Sequence, residues 1–385
     1  MSKLPTLKDY EEEVYLCNRC GFCRPVCPVM LQRGMEETTG PRARMLLIYG
    51  LMNKELKPSA FITEKVYLCT TCRYCYVKCP ASLEVDRIVE AARHELVKTG
   101  IAPLEAHKVV ASKVNNYNNP FGEPIADRVK WLGREKVMKL PEKAEVLYWA
   151  GCMASYRMQD SAITTVKILK HANVTFTMLG PEEGCCGSVL LRTGQRDPVV
   201  DNYAKANVEK ILARGVETLV TSCAGCFRTF YKDYPEIIGD LPFKVLHSSQ
   251  YIKGLIENGD IKFREGLPLK VTYHDPCHLG RHVGVYDDPR NVIKAIPGVK
   301  LVEMPACREE ARCCGAGGGL RSAFRELSIA IAANRLRTDA LPTGAEALVT
   351  PCPFCILNFE DAVDAAGTKI DILDLTELVC KALRI

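Results

Sequence analysis

Twice in the chain a pair of adjacent cysteines precedes a glycine: Cys185, Cys186 and Gly187 in EEGCCGSVLLRTG, and Cys313, Cys314 and Gly315 in EARCCGAGGGLRS. Neighbouring cysteines rarely close a disulfide on each other, because one peptide unit does not easily meet the geometry of that bond. They are also awkward as two corners of one zinc tetrahedron, whose ligand pairs are usually about two to four residues apart. A multi-iron cluster suits them better, since adjacent thiolates can reach different irons or one sulfur can bridge two. The glycine that follows permits backbone angles and a close approach that other residues resist.

Two further runs carry the same chemistry in its commoner form. CNRCGFCRPVCP places Cys17, Cys20, Cys23 and Cys27 in the pattern C-x2-C-x2-C-x3-C-P, and CTTCRYCYVKCP repeats it with Cys69, Cys72, Cys75 and Cys79. This is the bacterial ferredoxin run for two cubane 4Fe–4S clusters, in which the fourth cysteine of each run serves the other cluster. The expected ligand sets are Cys17, Cys20, Cys23 and Cys79 for one cluster, and Cys69, Cys72, Cys75 and Cys27 for the other. Zinc or scattered thiols account poorly for a doubled motif of this specificity.

The elements that must position the paired cysteines occur in two copies. AEVLYWAGC reads as a strand running into Cys152, VTFTML as one before Cys185, and VETLVTSCAGC as one running into Cys223 and Cys226. The second copy reads LKVTYHDPC into Cys277, VKLVEMP before Cys313, and AEALVTPCPFC into Cys352 and Cys355. Corresponding cysteines (152 and 277, 185 and 313, 223 and 352) lie 125, 128 and 129 positions apart. That regular offset indicates a duplication, and strands alternating with helical stretches indicate two α/β lobes with cysteines at strand ends, where open α/β sheets present ligands. Each lobe gathers five thiols, one more than a cubane takes, so each is expected to hold one iron–sulfur cluster of non-standard shape.

Around the ferredoxin runs, GPRARMLLIYGLM and LEVDRIVEAARHELVKTG have helical apolar spacing. NNYNNPFGEP, residues 115–124, reads as an irregular crossing. The expected architecture is α+β and multidomain. A helical ferredoxin-type domain spans 1–110, a linker 111–143, a first lobe 144–262 and a second lobe 263–385.

Composition agrees with a metal-rich intracellular protein. The 385 residues include 20 cysteines, and the start of the chain has no apolar core followed by a cleavage site. A disulfide framework is a poor explanation in a reducing compartment. The net charge of +5 is mild and forms no basic run, which argues against nucleic acid. No stretch approaches the roughly 18–20 apolar residues of a membrane span, so a cytoplasmic protein held on the inner face of the cell membrane by a partner is expected.

The combination of a doubled ferredoxin run with two CCG sites resembles the CCG-domain family in the arrangement of the heterodisulfide reductase D subunit, and the resemblance covers nearly the whole chain. It implies a noncubane 4Fe–4S cluster in each lobe, held by Cys152, Cys185, Cys186, Cys223 and Cys226 and by Cys277, Cys313, Cys314, Cys352 and Cys355. It also implies reduction of the coenzyme M–coenzyme B heterodisulfide, an anionic disulfide, with a membrane b-type cytochrome as partner. Related iron–sulfur proteins of glycolate or lactate oxidation share the architecture but often have a degraded CCG site, whereas all ten cysteines are present here. The alternative is therefore an electron-transfer component linking a flavoprotein 2-hydroxyacid dehydrogenase to a quinone or membrane cytochrome.

Disulfide reduction needs protons as well as electrons. YHDPCHLGRH sets His274, His278 and His282 around Cys277. Histidine titrates in a useful range, which makes His274 and His278 the candidate proton donors. The plainer role is to support cluster sulfurs or backbone carbonyls. Arg192, Arg281 and Arg321 follow cluster cysteines closely, and suit either an anionic substrate or the charge of a cluster. The glycines of CCGAGGGL read as slack around the cysteine pair, without the Lys-Ser/Thr of a phosphate loop. Cys307 and Cys380 fall outside both patterns.

Overall fold

The computed structural model describes residues 4–135 and 140–385. From 4 to 135 every regular element is helical. Helix α1 (Pro41–Met52) starts with proline at its first position, where the missing N–H costs nothing. Helix α2 (Ala60–Tyr67) is capped by Ser59, whose hydroxyl accepts from the Ile62 N–H. Helix α3 (Val85–Lys98) buries Val85, Ile88, Val89, Ala92 and Leu96 against Met45, Ile48, Val66 and Tyr67. That apolar stripe makes a core on which the two ferredoxin loops are mounted.

Helix α4 (Glu105–Tyr117) runs further than the irregular crossing read from sequence. It ends at Asn118, in the left-handed region, and Asn119 then organises the turn. The buried Asn119 amide accepts from Phe121 N and Glu123 N at 3.0 and 3.1 Å and donates to Tyr117 O and Glu123 O at 2.8 Å. A 3-10 segment, Ile125–Glu135, follows. The stretch 111–143 thus carries ordered elements.

The first lobe is a parallel four-stranded sheet in the order β2-β1-β3-β4, with β1 Val146–Trp149, β2 Phe176–Thr177, β3 Thr218–Thr221 and β4 Lys244–His247. The second repeats it as β6-β5-β7-β8, with β5 Leu269–Tyr273, β6 Val299–Leu301, β7 Ala347–Val349 and β8 Asp371–Leu373. All pairings are parallel, and helices connect the strands and cover the sheets. Three strands of each lobe correspond to the apolar runs read from sequence. The outer strands β4 and β8 are additional to them.

The lobes share one continuous core, in which Trp149, Phe227 and Phe230 lie together with Leu348, Phe359 and Ala362. A second seam joins helices Gln159–His171 and Leu375–Leu383, where Ser161 Oγ donates to Asp374 Oδ2 at 2.7 Å. The helical region is tied to both lobes by Arg93, which is fully buried. Its guanidinium donates to Arg192 O at 2.6 Å, Gly318 O at 2.8 Å and Cys69 O at 2.7 Å. These partners come from the first lobe, the second lobe and the second ferredoxin run, so one side chain fixes their relative placement.

Candidate active site

In each lobe the cysteines sit just beyond the carboxyl ends of the two central strands. Cys152 and Cys277 follow β1 and β5, while Cys223 and Cys352 follow β3 and β7 and precede helices beginning at Ala224 and Pro353. The paired cysteines lie on a loop facing them. Gly187 and Gly315 have φ of +84° and +85°. A Cβ there would press on Val199 at 2.8 Å and on Ser328 O at 2.5 Å, so glycine is required. Each glycine N–H then faces the first sulfur of its pair, at 3.4 Å for Cys185 and 3.3 Å for Cys313. Asn207 and Asn358 hold the loops by donating to Cys185 O and Cys314 O at 2.9 and 2.5 Å.

The thiols form connected groups. Cys23 lies in the field of Cys17, Cys79 and Cys20, and Cys75 in that of Cys69, Cys72 and Cys27. The last cysteine of each ferredoxin run is therefore found with the first three of the other. In the first lobe, contacts run from Cys152 to Cys185 and from Cys186 through Cys226 to Cys223. In the second they run from Cys277 through Cys313 and Cys314 to Cys355 and Cys352, with Cys314 Sγ 3.1 Å from Cys355 Sγ. Two contacts join the groups. Cys72 meets Cys313, linking the second ferredoxin run to the second lobe, and Cys223 meets Cys352, linking the two lobes.

One cavity of about 330 Å³ lies where the lobes meet, lined by nine of the ten paired-lobe cysteines, all but Cys313. Both nests open into it. One wall is apolar, formed by Val110 of α4, Pro120 and Phe121 of the following turn, Met153 and Val189. Another carries Arg321, Ser322 and Arg325. The crossing between domains thus builds part of the chamber.

The donor set fits iron–sulfur clusters. All twenty cysteines are unbridged. Within a nest the protons cannot be removed independently. Cys314 is held well below the ordinary thiol range by hydrogen bonds from Cys313 and Cys355, and those two are pushed well above it. Cys185 is likewise held down by Cys152 and then Cys186. So many buried sulfurs would ionise together only around a cationic centre, which is what multi-iron coordination supplies.

The histidines occupy three distinct places. His278 lines the cavity. Arg228 Nη1 lies 3.2 Å from its Nε2, and as arginine can only donate, Nε2 accepts and Nδ1 carries the proton. Burial, then Arg228 and Arg192, keeps this imidazole neutral, well below the usual histidine range. His274 is not in the cavity wall; it lies behind it, with Cys314 and Cys355. His282 is bound to Thr71 O at 2.9 Å beneath the second ferredoxin run.

Of the arginines read from sequence, Arg192 lines the cavity but is engaged by Asp233 at 2.7 Å and Glu90 at 3.2 Å. Arg281 is spent on the carbonyls of Cys72 and Ala311 at 2.7 and 2.5 Å. Arg321 reaches the cavity while pairing with Asp361 at 2.5 Å, and Arg325 shares that carboxylate at 2.9 Å. Sequence reading passes over Arg228 and Arg325, although Arg228 stands two positions beyond Cys226. The glycines after Cys314 prove to be docking points: a Cβ on Gly317 or Gly318 would lie 2.9 Å from Thr70 O or 2.5 Å from Cys69 O. Cys380 is buried with its thiol on Thr164 O, and Cys307 lies near Asp275, Arg290 and Glu303.

Comparison with known proteins agrees with this construction. Residues 13–83 match the 4Fe-4S dicluster domain, and residues 146–231 and 271–360 each match the cysteine-rich domain CCG. The fold and site are those of an iron–sulfur oxidoreductase with a helical dicluster region and duplicated cysteine-rich lobes. The D subunit of the dihydromethanophenazine:CoB–CoM heterodisulfide reductase of Methanosarcina barkeri is 39% identical over 96% of this chain and 94% of its own length. The EtfAB:quinone oxidoreductase of Syntrophomonas wolfei is 32% identical over 95% of this chain and 58% of its own. The B subunit of the CoM/CoB fumarate reductase of Methanothermobacter marburgensis is 29% identical over 97% and 73%. The chain belongs to the family of the heterodisulfide reductase D subunit. Relatives in this group are subunits of oxidoreductase complexes, and no helix among the described residues is long and apolar enough to cross a membrane.

Proposed function

We propose that this chain is the iron–sulfur catalytic subunit that reduces a disulfide, with the coenzyme M–coenzyme B heterodisulfide as its substrate. The observation that carries the reading is the single cavity into which both nests open. A protein that only relayed electrons would have no need of a chamber at that junction. The overall step consumes two electrons and two protons and turns one disulfide into two thiols. When bound, the clusters supply those electrons singly, from two cubanes held by Cys17, Cys20, Cys23, Cys79 and Cys69, Cys72, Cys75, Cys27, and two noncubane clusters held by the five cysteines of each lobe. The contacts Cys72–Cys313 and Cys223–Cys352 support an order of travel from dicluster region to second lobe to first lobe.

His278 lines the chamber as a neutral imidazole whose tautomer is fixed by Arg228 on Nε2, so its remaining N–H steadies a departing thiolate by hydrogen bonding, and the two protons consumed come from solvent on product release. Phe121, Pro120 and Val110 keep water from the chamber, while Arg321 and Arg325 orient an anionic end of the substrate. We assign the electron donor to a membrane cytochrome partner and the protein to the cytoplasmic face. We keep the boundaries 1–110, 111–143, 144–262 and 263–385 for its parts.

A second reading, electron relay between a flavoprotein dehydrogenase and a quinone or cytochrome, is favoured by the name of the Syntrophomonas relative. The experiment supplies reduced viologen and the heterodisulfide and counts thiols. Wild-type protein forms two thiols per disulfide, while Cys186→Ser and Cys314→Ser form none and retain the dicluster iron. Wild-type rates in either variant would end the disulfide reading. Copurified haem supports the first reading, and copurified flavin with lactate-dependent reduction supports the second.

A further inference from the structure

The offset of 125 that relates Cys152 to Cys277 also relates Trp149 to His274, and the offset of 129 that relates Cys223 to Cys352 relates Phe230 to Phe359. The structure keeps both equivalences. Trp149 stands edge-on to Phe230, with ring centroids 4.8 Å apart and planes at 72°. His274 stands edge-on to Phe359 at 4.9 Å and 82°. Both rings are buried, and neither Trp149 Nε1 nor either ring nitrogen of His274 has an oxygen or nitrogen partner among the described residues.

Sulfur lies in the neighbourhood of both rings. A Cβ placed on Gly151 would lie 2.9 Å from Cys226 Sγ and 3.8 Å from Trp149 Nε1, so the indole nitrogen and that thiol flank the same glycine. His274, Cys314 and Cys355 present their nitrogen and sulfur atoms within 4.8 Å of one another. Cys226 and Cys355 are themselves equivalent under the 129 offset.

We propose that Trp149 and His274 are matched positioning residues, each directing a ring N–H at the sulfur cage of its own lobe and so setting that cluster's reduction potential. The inference rests on reading both nests as iron–sulfur sites. Burying an N–H without an acceptor is costly, and two such N–H groups at the same place in both halves of a duplication call for an acceptor that the protein atoms do not provide. Hydrogen bonds to cluster sulfurs favour the more negative, reduced form and raise the potential. The two donors differ in kind. Indole has one N–H and nothing else, whereas imidazole has a second nitrogen besides the one given to sulfur. The duplicated nests are thereby made inequivalent although their sulfurs match.

The test is a redox titration of the holoprotein followed by electron paramagnetic resonance, with iron and sulfide counted first. Trp149→Phe keeps an aromatic edge toward Phe230 and removes the N–H; His274→Leu removes the other donor. Trp149→His and His274→Gln put an N–H back. Each donor-less variant lowers the midpoint of one C-terminal cluster, a different one in each case, by about tenfold in its oxidised-to-reduced ratio, or ~59 mV for a one-electron couple. The dicluster midpoints stay in place, and the restoring variants return toward wild type. Unshifted midpoints in both donor-less variants overturn the proposal, as does a shift that the restoring variants fail to reverse. If a donor-less variant fails to hold iron, recovery of iron and midpoint in its restoring partner supports the proposal, and failure to recover overturns it. Wild-type protein with no iron in its C-terminal half overturns the cluster reading instead, before any variant is compared.

Discussion

The two lobes have the same strand order, the same left-handed glycine after the cysteine pair and the same edge-on ring behind it, yet their surroundings differ. The second lobe meets the second ferredoxin run directly, through Cys72 against Cys313, Arg281 on Cys72 O and Gly317 and Gly318 packed on the Thr70 and Cys69 carbonyls. The first lobe meets the helical region through other groups: Tyr67 donates to Thr193 O at 2.8 Å, and Arg192 pairs with Glu90. Duplication thus yields two similar sulfur nests, and the placement of a third region makes one of them the neighbour of the electron supply.

The sharpest way to break this comparison is to remove one nest at a time. Cys314→Ser is expected to abolish turnover and to leave the first-lobe cluster unreduced, whereas Cys186→Ser abolishes turnover but leaves the second-lobe cluster reducible. Rapid-freeze spectroscopy with a donor docked at the dicluster region reads both, and the reverse pattern would invert the proposed order. Next in size is His278→Leu, expected to cost roughly 10²- to 10³-fold in thiol formation, the range for removing one hydrogen-bond donor to developing negative charge. His282→Gln, beside His278 but not lining the chamber, is expected to cost much less; equal losses would remove the assigned role.

Smaller effects report on the second lobe's docking. His107 is buried, stacked on Tyr67 and bonded to Gly319 O at 2.9 Å, and burial pulls its pKa down from 6.5 to about 4. A depressed histidine contributes stability that is fully present above the unfolded value and is lost as pH falls from 6.5 through about 4. The loss amounts to about 3 kcal/mol at most. Denaturant unfolding between pH 7 and 4 should show a shallower decline in His107→Phe than in wild type. Gly318→Ala, whose Cβ would meet backbone atoms of Cys69 and Thr70 from a left-handed conformation, is expected to destabilise by about 2 kcal/mol. Gly367→Ala is also left-handed but has open space around it, so about 1 kcal/mol is expected there. Equal melting temperatures for the two would deny the docking role of Gly318.

Much of the fold is legible because its signals are local. The helices at Pro41–Met52 and Val85–Lys98 coincide with the stretches of helical spacing, and six of the eight strands lie in the apolar runs that lead to cysteines. Lys244–His247 and Asp371–Leu373 escape such a reading, because each begins with an exposed charge and leads to no motif cysteine. The arginines are the harder residues. Arg192, Arg281 and Arg321 sit beside cysteines in sequence, but Asp233, the Ala311 carbonyl and Asp361, which engage them, lie 30 to 41 positions away. Nearness to a motif indicates where they are, not what occupies them.

By itself the sequence determined which residues can ligate iron and how they divide into loops, because thiols three or four positions apart have no choice but to share a turn. It also determined the duplication, since a nearly regular offset between motifs, 125 to 129 positions, survives any folding. Only the tertiary structure decided that both nests open into one chamber, that His278 lines it while His274 stands behind it beside sulfur, and that Trp149 and His274 each stand edge-on to a buried phenylalanine. Those are relations between segments 40 or more residues apart. They depend on how the lobes' shared core and the buried Arg93 set three regions against one another, which no local pattern encodes.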